Sequence, residues 1–165
     1  MVILFAGKAG AGKDTSAALV QKYLPEAQTC AFAKRVKEIA RAFGWDGKKD
    51  EKGRKLLQSV GRVGREYQKD FWANDCVRQI SEAKGHALVT DLRFQNELAV
   101  VRNSYPEAKL VLVTGRASDL GKNAGDISEH DLDGFPNFDY FLHNIGSIED
   151  LESQIRQMLK SWDLI

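Results

Sequence analysis

The fold of this chain is decided by one stretch, Val2-Ile-Leu-Phe-Ala-Gly7-Lys-Ala-Gly-Ala-Gly12-Lys13-Asp14-Thr15. It predicts a buried strand, a glycine-rich loop and the start of a helix. Gly7, Gly10 and Gly12 can adopt backbone angles closed to other residues, so successive N–H groups can turn inward around a phosphate. Lys13 adds a positive charge, and the helix places its positive dipole end at the same point. The stretch therefore predicts a site for a nucleoside triphosphate.

The loop follows the spacing Gly-x-x-x-x-Gly-Lys-Ser/Thr except at its last position. Asp14 stands where the hydroxyl residue is usual, and Thr15 follows one residue later. The usual hydroxyl ligates Mg²⁺; here Asp14 would supply an anionic oxygen, directly or through a metal-bound water, and Thr15 could hydrogen-bond the α-phosphate. A simple glycine-rich turn is the alternative. A dinucleotide fingerprint is disfavoured, because the third glycine of Gly-x-Gly-x-x-Gly would fall on Thr15.

Length and composition predict one intracellular domain. The chain has 165 residues, 43% of them hydrophobic, which is enough for a single core. Its 24 basic and 23 acidic residues give no broad charged footprint, so a nucleic-acid polymer or a membrane surface is not an expected partner. Cys30 and Cys76 form no metal or redox pair and are expected to be buried free thiols, which favours the cytoplasm. No signal peptide or membrane span is indicated.

Apolar runs alternate with helical patterns along the chain, which predicts an α/β fold with a mostly parallel central sheet. The expected strands are Val2–Ala6, Ala87–Thr90 and Leu110–Thr114, with Thr29–Phe32 and Tyr140–Leu142 as weaker candidates. The expected helices follow Lys13 and span Lys34–Phe43, Arg54–Tyr67, Trp72–Lys84, Asn96–Ser104 and a last segment capped by Ser147. Residues 44–53 and 116–137 are predicted loops, the second of them a candidate lid, and residues 34–84 are a candidate helical insertion that binds substrate.

A second group of residues is expected at the same edge of the sheet as the glycine-rich loop. The run Ala87-Leu-Val-Thr-Asp91 ends a buried strand in a carboxylate, and Arg93 follows two residues later. In proteins with such loops, the adjacent strand often ends in an acid that holds Mg²⁺. A helix cap is the other interpretation of Asp91. An arginine at that edge can bind a phosphate through paired hydrogen bonds.

Helical segments supply further candidates for ligand binding. Gln58, Arg62 and Arg65 lie on a helix whose other side is apolar, and Gly64 beside Arg65 is interpreted as leaving space for a ligand. Solvated surface charge is the alternative, above all for Arg62. Lys37 adds a cation near the start of another helix, where N–H groups also favour an anion. Trp45 and Trp72 are candidates to stack a base, with simple packing as the alternative.

Together these residues resemble the phage-type deoxynucleoside monophosphate kinases. The resemblance runs from the first strand to the last helix and is most specific in the combination of Gly7–Thr15 with Thr90-Asp-Leu-Arg-Phe-Gln-Asn-Glu97. The other matching segments are Phe32-Ala-Lys-Arg-Val-Lys37, Phe43-Gly-Trp45, Leu56-Leu-Gln-Ser-Val-Gly61 with Arg65, Phe71-Trp72, and Asn144 to Leu151. The resemblance implies a three-layer P-loop fold and transfer of the γ-phosphoryl group of ATP, with Mg²⁺, to a deoxynucleoside monophosphate.

The same resemblance implies roles for individual residues. ATP would be bound by Gly7, Lys8, Ala9, Gly10, Ala11, Gly12, Lys13, Asp14, Thr15, Asn144 and Gly146, the last two near the adenine. The acceptor monophosphate would be bound by Lys37, Gln58, Arg65, Trp72, Asp91 and Arg93. The metal ligands would be Asp14, Thr15 and Asp91, and the catalytic residues Lys13, Arg93 and Arg116. The protein would be located in the cytoplasm, which is the host cytoplasm if a phage encodes it. The resemblance leaves open whether the protein forms a homodimer.

Two segments depart from the family pattern. The family has His-x-Ser-Glu in the lid, where this chain has Ser128-Glu129-His130, and Arg62-Val63 replaces Thr-Glu. Acids around His130 form no metal site by spacing, because no second His or Cys stands nearby. Two rival functions remain: a P-loop kinase of another metabolite, such as dephospho-coenzyme A, a sugar acid or phosphomevalonate, and a nucleotide-dependent switch. The sequence contains no Asn-Lys-x-Asp signature for guanine, which argues against a switch.

Overall fold

The architecture is a parallel sheet between two layers of helices. The computed structural model describes residues 1–115 and 131–165. Within these ranges the strands are β1 Val2–Ala6, β2 Gln28–Cys30, β3 Ala87–Val89, β4 Lys109–Gly115 and β5 Tyr140–Asn144. They lie in the order β2-β3-β1-β4-β5, and every neighbouring pair is parallel. The predicted α/β class with a mostly parallel sheet is therefore confirmed.

Helices cover both faces of this sheet. Their bounds are α1 Lys13–Tyr23, α2 Ala33–Ala42, α3 Glu51–Tyr67, α4 Phe71–Glu82, α5 Gln95–Ser104 and α6 Ile148–Ser161. Buried side chains of α1 and α6 pack on one face, and those of α4 and α5 pack on the other. None of the helices in the described ranges has the length and apolar character needed to cross a bilayer. Residues 34–84 thus contain nearly all of α2 and the whole of α3 and α4, inserted between β2 and β3.

The central strand β1 joins the two halves of the core. All five of its residues are buried. Ile3 and Phe5 belong to the apolar cluster under α1 and α6, whereas Val2, Leu4 and Ala6 belong to the cluster under α4 and α5. Each large apolar side chain buried in this way stabilises the fold by about 1.5–3 kcal/mol. The loop that follows β1 is therefore anchored at the middle of the sheet.

Helix boundaries differ from the predicted ones by at most two residues, except at the start of α3. α3 begins at Glu51 rather than at Arg54, because Asp50 caps it and accepts a hydrogen bond of 2.7 Å from the N–H of Gly53. The predicted loop from residue 44 to 53 is shorter by the same turn. In α6 the Ser147 cap is confirmed. Ile148, the first residue of α6, is 45% exposed.

The apolar side of α3 is only partly covered by the rest of the molecule. Val63 is 58% exposed and Tyr67 is 84% exposed. They line an apolar cleft of about 990 Å³, together with Phe43, Trp45 and Phe71. Cys30 and Cys76, by contrast, are buried free thiols, as expected.

Candidate active site

The glycine-rich loop between β1 and α1 has the predicted backbone geometry. Gly7, Gly10 and Gly12 all have positive φ, of 140°, 76° and 105°, a region in which glycine is favoured. Gly12 is the N-cap of α1, and within the described part of the chain no side chain caps this helix. The peptide dipoles of loop and helix start therefore favour an anion at the same place.

Lys13 lies against the loop that precedes it. Its Nζ donates hydrogen bonds to the carbonyl oxygens of Gly7, at 2.6 Å, and Lys8, at 2.9 Å. Asp14 and Thr15, the next two residues of α1, are exposed at the same helix end. The ammonium group is thus held within the loop, and two oxygen-bearing side chains stand beside it. Their oxygens are of the kind that Mg²⁺ binds, since Mg²⁺ takes few protein oxygens and completes its shell with phosphate and water, and metal binding by Asp14 and Thr15 stays a prediction.

Asn144, the last residue of β5, holds the loop from the side. Its Nδ2 donates a hydrogen bond of 3.0 Å to the carbonyl oxygen of Ala11. A Cβ on Gly12 would collide with that same amide nitrogen, so the two residues fit together only because Gly12 has no side chain. Ile145 follows and is exposed. The turn that ends at Gly146 therefore lies beside the glycine-rich loop, and its contact with adenine stays a prediction.

A second cleft, of about 440 Å³, opens beside the loop at Ala9. We call it the acceptor cleft. The structure brings to it all six residues predicted to bind the acceptor: Lys37, Gln58, Arg65, Trp72, Asp91 and Arg93. It adds two cations that sequence reasoning did not select, Lys49 and Arg54. Five cationic side chains thus line this cleft with two acids, which favours an anionic ligand.

Arg65 is held over an aromatic ring in this cleft. Its guanidinium carbon lies 5.1 Å from the centre of the Phe94 ring, a cation–π contact that limits the directions the side chain can take. Within the described residues Arg65 forms no ion pair. Arg65 thus lines the acceptor cleft with its guanidinium over Phe94. Phe94 was part of the motif that carries the resemblance, but only the structure reveals this contact.

Asp91 caps the helix α2. Its Oδ1 accepts a hydrogen bond from the N–H of Phe32 at 3.0 Å, and its Oδ2 accepts one from the N–H of Ala33 at 2.9 Å. Burial raises the pKa of the Asp91 carboxyl, and these two hydrogen bonds oppose that rise. Asp91 thus caps a helix, although this helix is α2 and not the one that follows Asp91 in sequence. A contact to metal, through water, stays a prediction.

Glu97 is a buried acid in the same wall of the cleft. Its side chain is 7% exposed, and its Oε2 accepts hydrogen bonds from the N–H groups of Arg93, at 3.0 Å, and Phe94, at 3.1 Å. Burial raises the pKa of the Glu97 carboxyl to about 7, aided by the negative charge of Asp91, although the two hydrogen bonds and Arg65 lower it. The ionised form of Glu97 is therefore costly to the fold at neutral pH.

Replacing Glu97 with glutamine is expected to stabilise the protein at high pH. Between the ordinary pKa of 4.5 and the folded value of about 7, the folded protein binds more protons than the unfolded chain, so stability falls as pH rises. The amide carries no such penalty and can still accept both hydrogen bonds. Urea unfolding should show a gain of about 3 kcal/mol at most at pH 8 and almost none at pH 4. An equal gain at both pH values would contradict this cause.

Trp72 forms the packed wall between the acceptor cleft and the apolar cleft. It is 4% exposed, and its Nε1 donates a hydrogen bond of 2.9 Å to the carbonyl oxygen of Gly61. A Cβ on Gly64 would collide with the indole ring. The interpretation that Gly64 leaves space for a ligand is therefore wrong, because Trp72 fills that space. A base stacked on Trp72 stays a prediction.

The segment after residue 130 contacts both the loop and the acceptor side. Asp133 forms a 2.6 Å ion pair with Lys8, and Asp131 accepts a 2.6 Å hydrogen bond from the N–H of Gln95. Among residues 1–115 and 131–165, no group of three His, Cys, Asp or Glu side chains could hold a metal. Arg116 and Ser128-Glu129-His130 lie outside the described residues, as does most of the candidate lid 116–137.

Comparisons with known proteins identify the fold. No family model matches the sequence, and no curated protein matches it. Shikimate kinase from Aquifex aeolicus vf5 is similar in structure, with a TM-score of 0.63 and 15% identity over 99% of both chains. A sugar kinase from Janibacter sp. HTCC2649 has a TM-score of 0.54 and 15% identity, over 99% of this chain and 94% of that one. The chain thus has the three-layer α/β fold of P-loop kinases, and identities this low show the fold alone.

Proposed function

We propose that this protein is a kinase that transfers the γ-phosphoryl group of ATP to a deoxynucleoside 5′-monophosphate. The observation that carries this proposal is the position of the acceptor cleft, which opens at Ala9 of the phosphate-binding loop. A glycine-rich loop of this kind, taken alone, supports nucleotide binding but does not indicate what the nucleotide is used for. A cation-lined cleft that shares a residue with it supports a second anionic substrate within reach of the γ-phosphate.

On the donor side, Gly7–Thr15 would bind the phosphates of ATP through N–H groups and Lys13. The turn Asn144–Gly146 would contact the adenine, since Asn144 is bonded to the loop. Asp14 and Thr15 would hold Mg²⁺, with Asp91 behind them through water. When bound, Mg²⁺ would supply charge that neutralises the β- and γ-phosphates.

On the acceptor side, Lys37, Arg65 and Arg93 would bind the monophosphate. Gln58 and Trp72 would lie beside its nucleoside, one as a hydrogen-bonding group and the other as an apolar wall. In the reaction an oxygen of the acceptor phosphate attacks the γ-phosphorus of ATP. The bond to the β,γ-bridging oxygen breaks, and ADP leaves with the electron pair. The protein's contribution is to place the two phosphates in line and to neutralise their charge.

A second candidate is a P-loop kinase of another small metabolite. Proteins of similar structure include shikimate kinases and a sugar kinase. The five cations of the acceptor cleft favour an acceptor that already carries a phosphate over a neutral alcohol. A nucleotide-dependent switch is a weaker candidate, because it would not need a second anion site beside the loop.

An acceptor panel tests the proposal. ADP release would be measured with Mg²⁺-ATP and each deoxy- and ribonucleoside monophosphate, and in parallel with shikimate, gluconate, phosphomevalonate and dephospho-coenzyme A. We expect multiple turnovers with at least one deoxynucleoside monophosphate. Turnover only with another metabolite would establish the second candidate. ATP binding without turnover on any acceptor would support the switch.

Arg116 is proposed as a catalytic residue from its sequence position after β4. Replacing it with lysine is expected to lower kcat about tenfold while changing either KM less, because a point charge cannot reproduce the paired hydrogen bonds of a guanidinium in the transition state. Initial rates at saturating ATP and acceptor would measure kcat. An unchanged kcat would assign Arg116 to the surface.

A further inference from the structure

One acid in the acceptor cleft receives two consecutive peptide N–H groups. The Oε2 atom of Glu97 accepts from Arg93 at 3.0 Å and from Phe94 at 3.1 Å. Both donors belong to the segment that joins β3 to α5, and Glu97 lies in the first turn of α5, where the helix dipole favours a negative charge. The carboxylate therefore fixes the orientation of the backbone at residues 93 and 94.

This backbone carries Arg93 and, through the ring of Phe94, contacts Arg65, the two arginines assigned to the acceptor phosphate. Arg93 extends from it directly into the cleft wall. Arg65 belongs to α3, but its guanidinium lies 5.1 Å from the ring centre of Phe94, so the direction of that ring sets where Arg65 can rest. A rotation of the peptide between residues 93 and 94 would displace both cations together.

Glu97 also completes the capping box of α5, in which its side chain accepts the N–H of the N-cap residue Phe94. The side chain is buried, with Asp91 on the same wall of the cleft. The hydrogen bonds that cap α5 therefore also hold the segment to which Arg93 and Phe94 belong.

We propose that Glu97 is a positioning residue that aligns Arg65 and Arg93 for the phosphate of the acceptor. The inference rests on the proposed function for the identity of that phosphate. It does not require that Glu97 touch the substrate. It requires that an oxygen acceptor be present at this position, whether or not that oxygen is charged.

Two variants of Glu97 separate positioning from packing. Glutamine keeps an oxygen that can accept both N–H groups, whereas methionine keeps the length of the side chain and removes the acceptor. Glu97→Met should raise the KM of the best monophosphate acceptor at least tenfold and leave the KM of ATP within twofold. Glu97→Gln should restore the acceptor KM to within threefold of the wild-type value.

A matched control is provided by Asp139, outside the cleft. This acid also accepts a backbone N–H, from Leu110 at 2.8 Å, and binds an arginine, Arg102, at 2.8 Å. Asp139→Leu should reduce thermal stability without changing the acceptor KM. If it raises that KM as much as Glu97→Met does, the effect is general loosening and the proposal is overturned.

Binding of inorganic phosphate, followed by the fluorescence of Trp72 in the cleft wall, separates this inference from the proposed function. A weaker phosphate affinity in Glu97→Met, restored in Glu97→Gln, supports the inference even if no monophosphate is turned over. Unchanged affinity and unchanged acceptor KM in Glu97→Met overturn it, even if the kinase activity is established. A wild-type protein that binds no phosphate overturns it as well.

Discussion

Replacing Lys13 with alanine is expected to lower kcat about a thousandfold and to leave the fold intact. The ammonium group lies within the phosphate-binding loop, on the carbonyl oxygens of Gly7 and Lys8. There it would face the oxygens of the β- and γ-phosphates, where negative charge shifts during transfer. Removing one group of this kind from a preorganised site typically costs a factor of 10²–10³, that is about 3–4 kcal/mol of transition-state stabilisation.

Single-turnover rates of the variant would measure the loss of phosphoryl transfer. Circular dichroism spectra would show whether the fold is intact. Lys22→Ala is a suitable control, because Lys22 lies on the same helix and pairs with Glu152 at 2.8 Å, away from the loop. The control should retain wild-type rates. Turnover by Lys13→Ala close to that of the control would refute the assignment of the loop as the ATP site.

Replacing Arg65 or Arg93 with alanine is expected to weaken acceptor binding about ten- to a hundredfold and ATP binding by less than threefold. Both side chains line the acceptor cleft. A hydrogen bond between charged groups contributes about 1.5–3 kcal/mol, and a guanidinium can bind a phosphate through two of them. Isothermal titration of each variant with the acceptor, and separately with an ATP analogue, would measure both affinities.

Arg62 offers a control from the same helix. It lies nearly one turn before Arg65, is exposed, and pairs with Glu66 at 3.2 Å. Arg62→Ala should change neither affinity. Equal losses for donor and acceptor in the Arg65 and Arg93 variants would place these arginines on the ATP side or in the scaffold.

The sequence predicts those parts of the structure that local patterns determine. β1 has the predicted bounds, Val2–Ala6, because a continuous apolar run that ends at a glycine-rich loop is typical of a strand buried on both faces. The phosphate-binding loop is predicted because its glycines and lysine stand in one short segment. Asp91 and Arg93 are predicted beside the loop because carboxyl ends of parallel strands lie at the same edge of a sheet. The other four acceptor candidates lie on the helices α2, α3 and α4, and it was the resemblance that indicated them.

The parts that sequence reasoning missed depend on contacts between distant residues. The predicted strand Thr29–Phe32 ends early, at Cys30, because the N–H of Phe32 bonds to Asp91, 59 residues away. In the sequence Gly64 suggests open space beside Arg65, but in the structure the ring of Trp72 lies against it. Glu97 is polar and lies in the first turn of a helix, so its pattern indicates a surface cap, whereas in the structure it is buried.

The pairing of β1 also bears on how such a chain acquires its structure during synthesis. Val2 pairs with Ala87, and Leu4 pairs with Leu110, so the first strand has both neighbours far downstream. Such long-range pairing requires large loops to close, at a cost in chain entropy, before stabilising contacts form. This slows folding. A partly folded chain in which β3 and β4 have not yet joined the sheet would expose an apolar strand without partners, a state prone to aggregation. The glycine-rich loop that follows β1 therefore takes its final position only after these two distant strands have paired with β1.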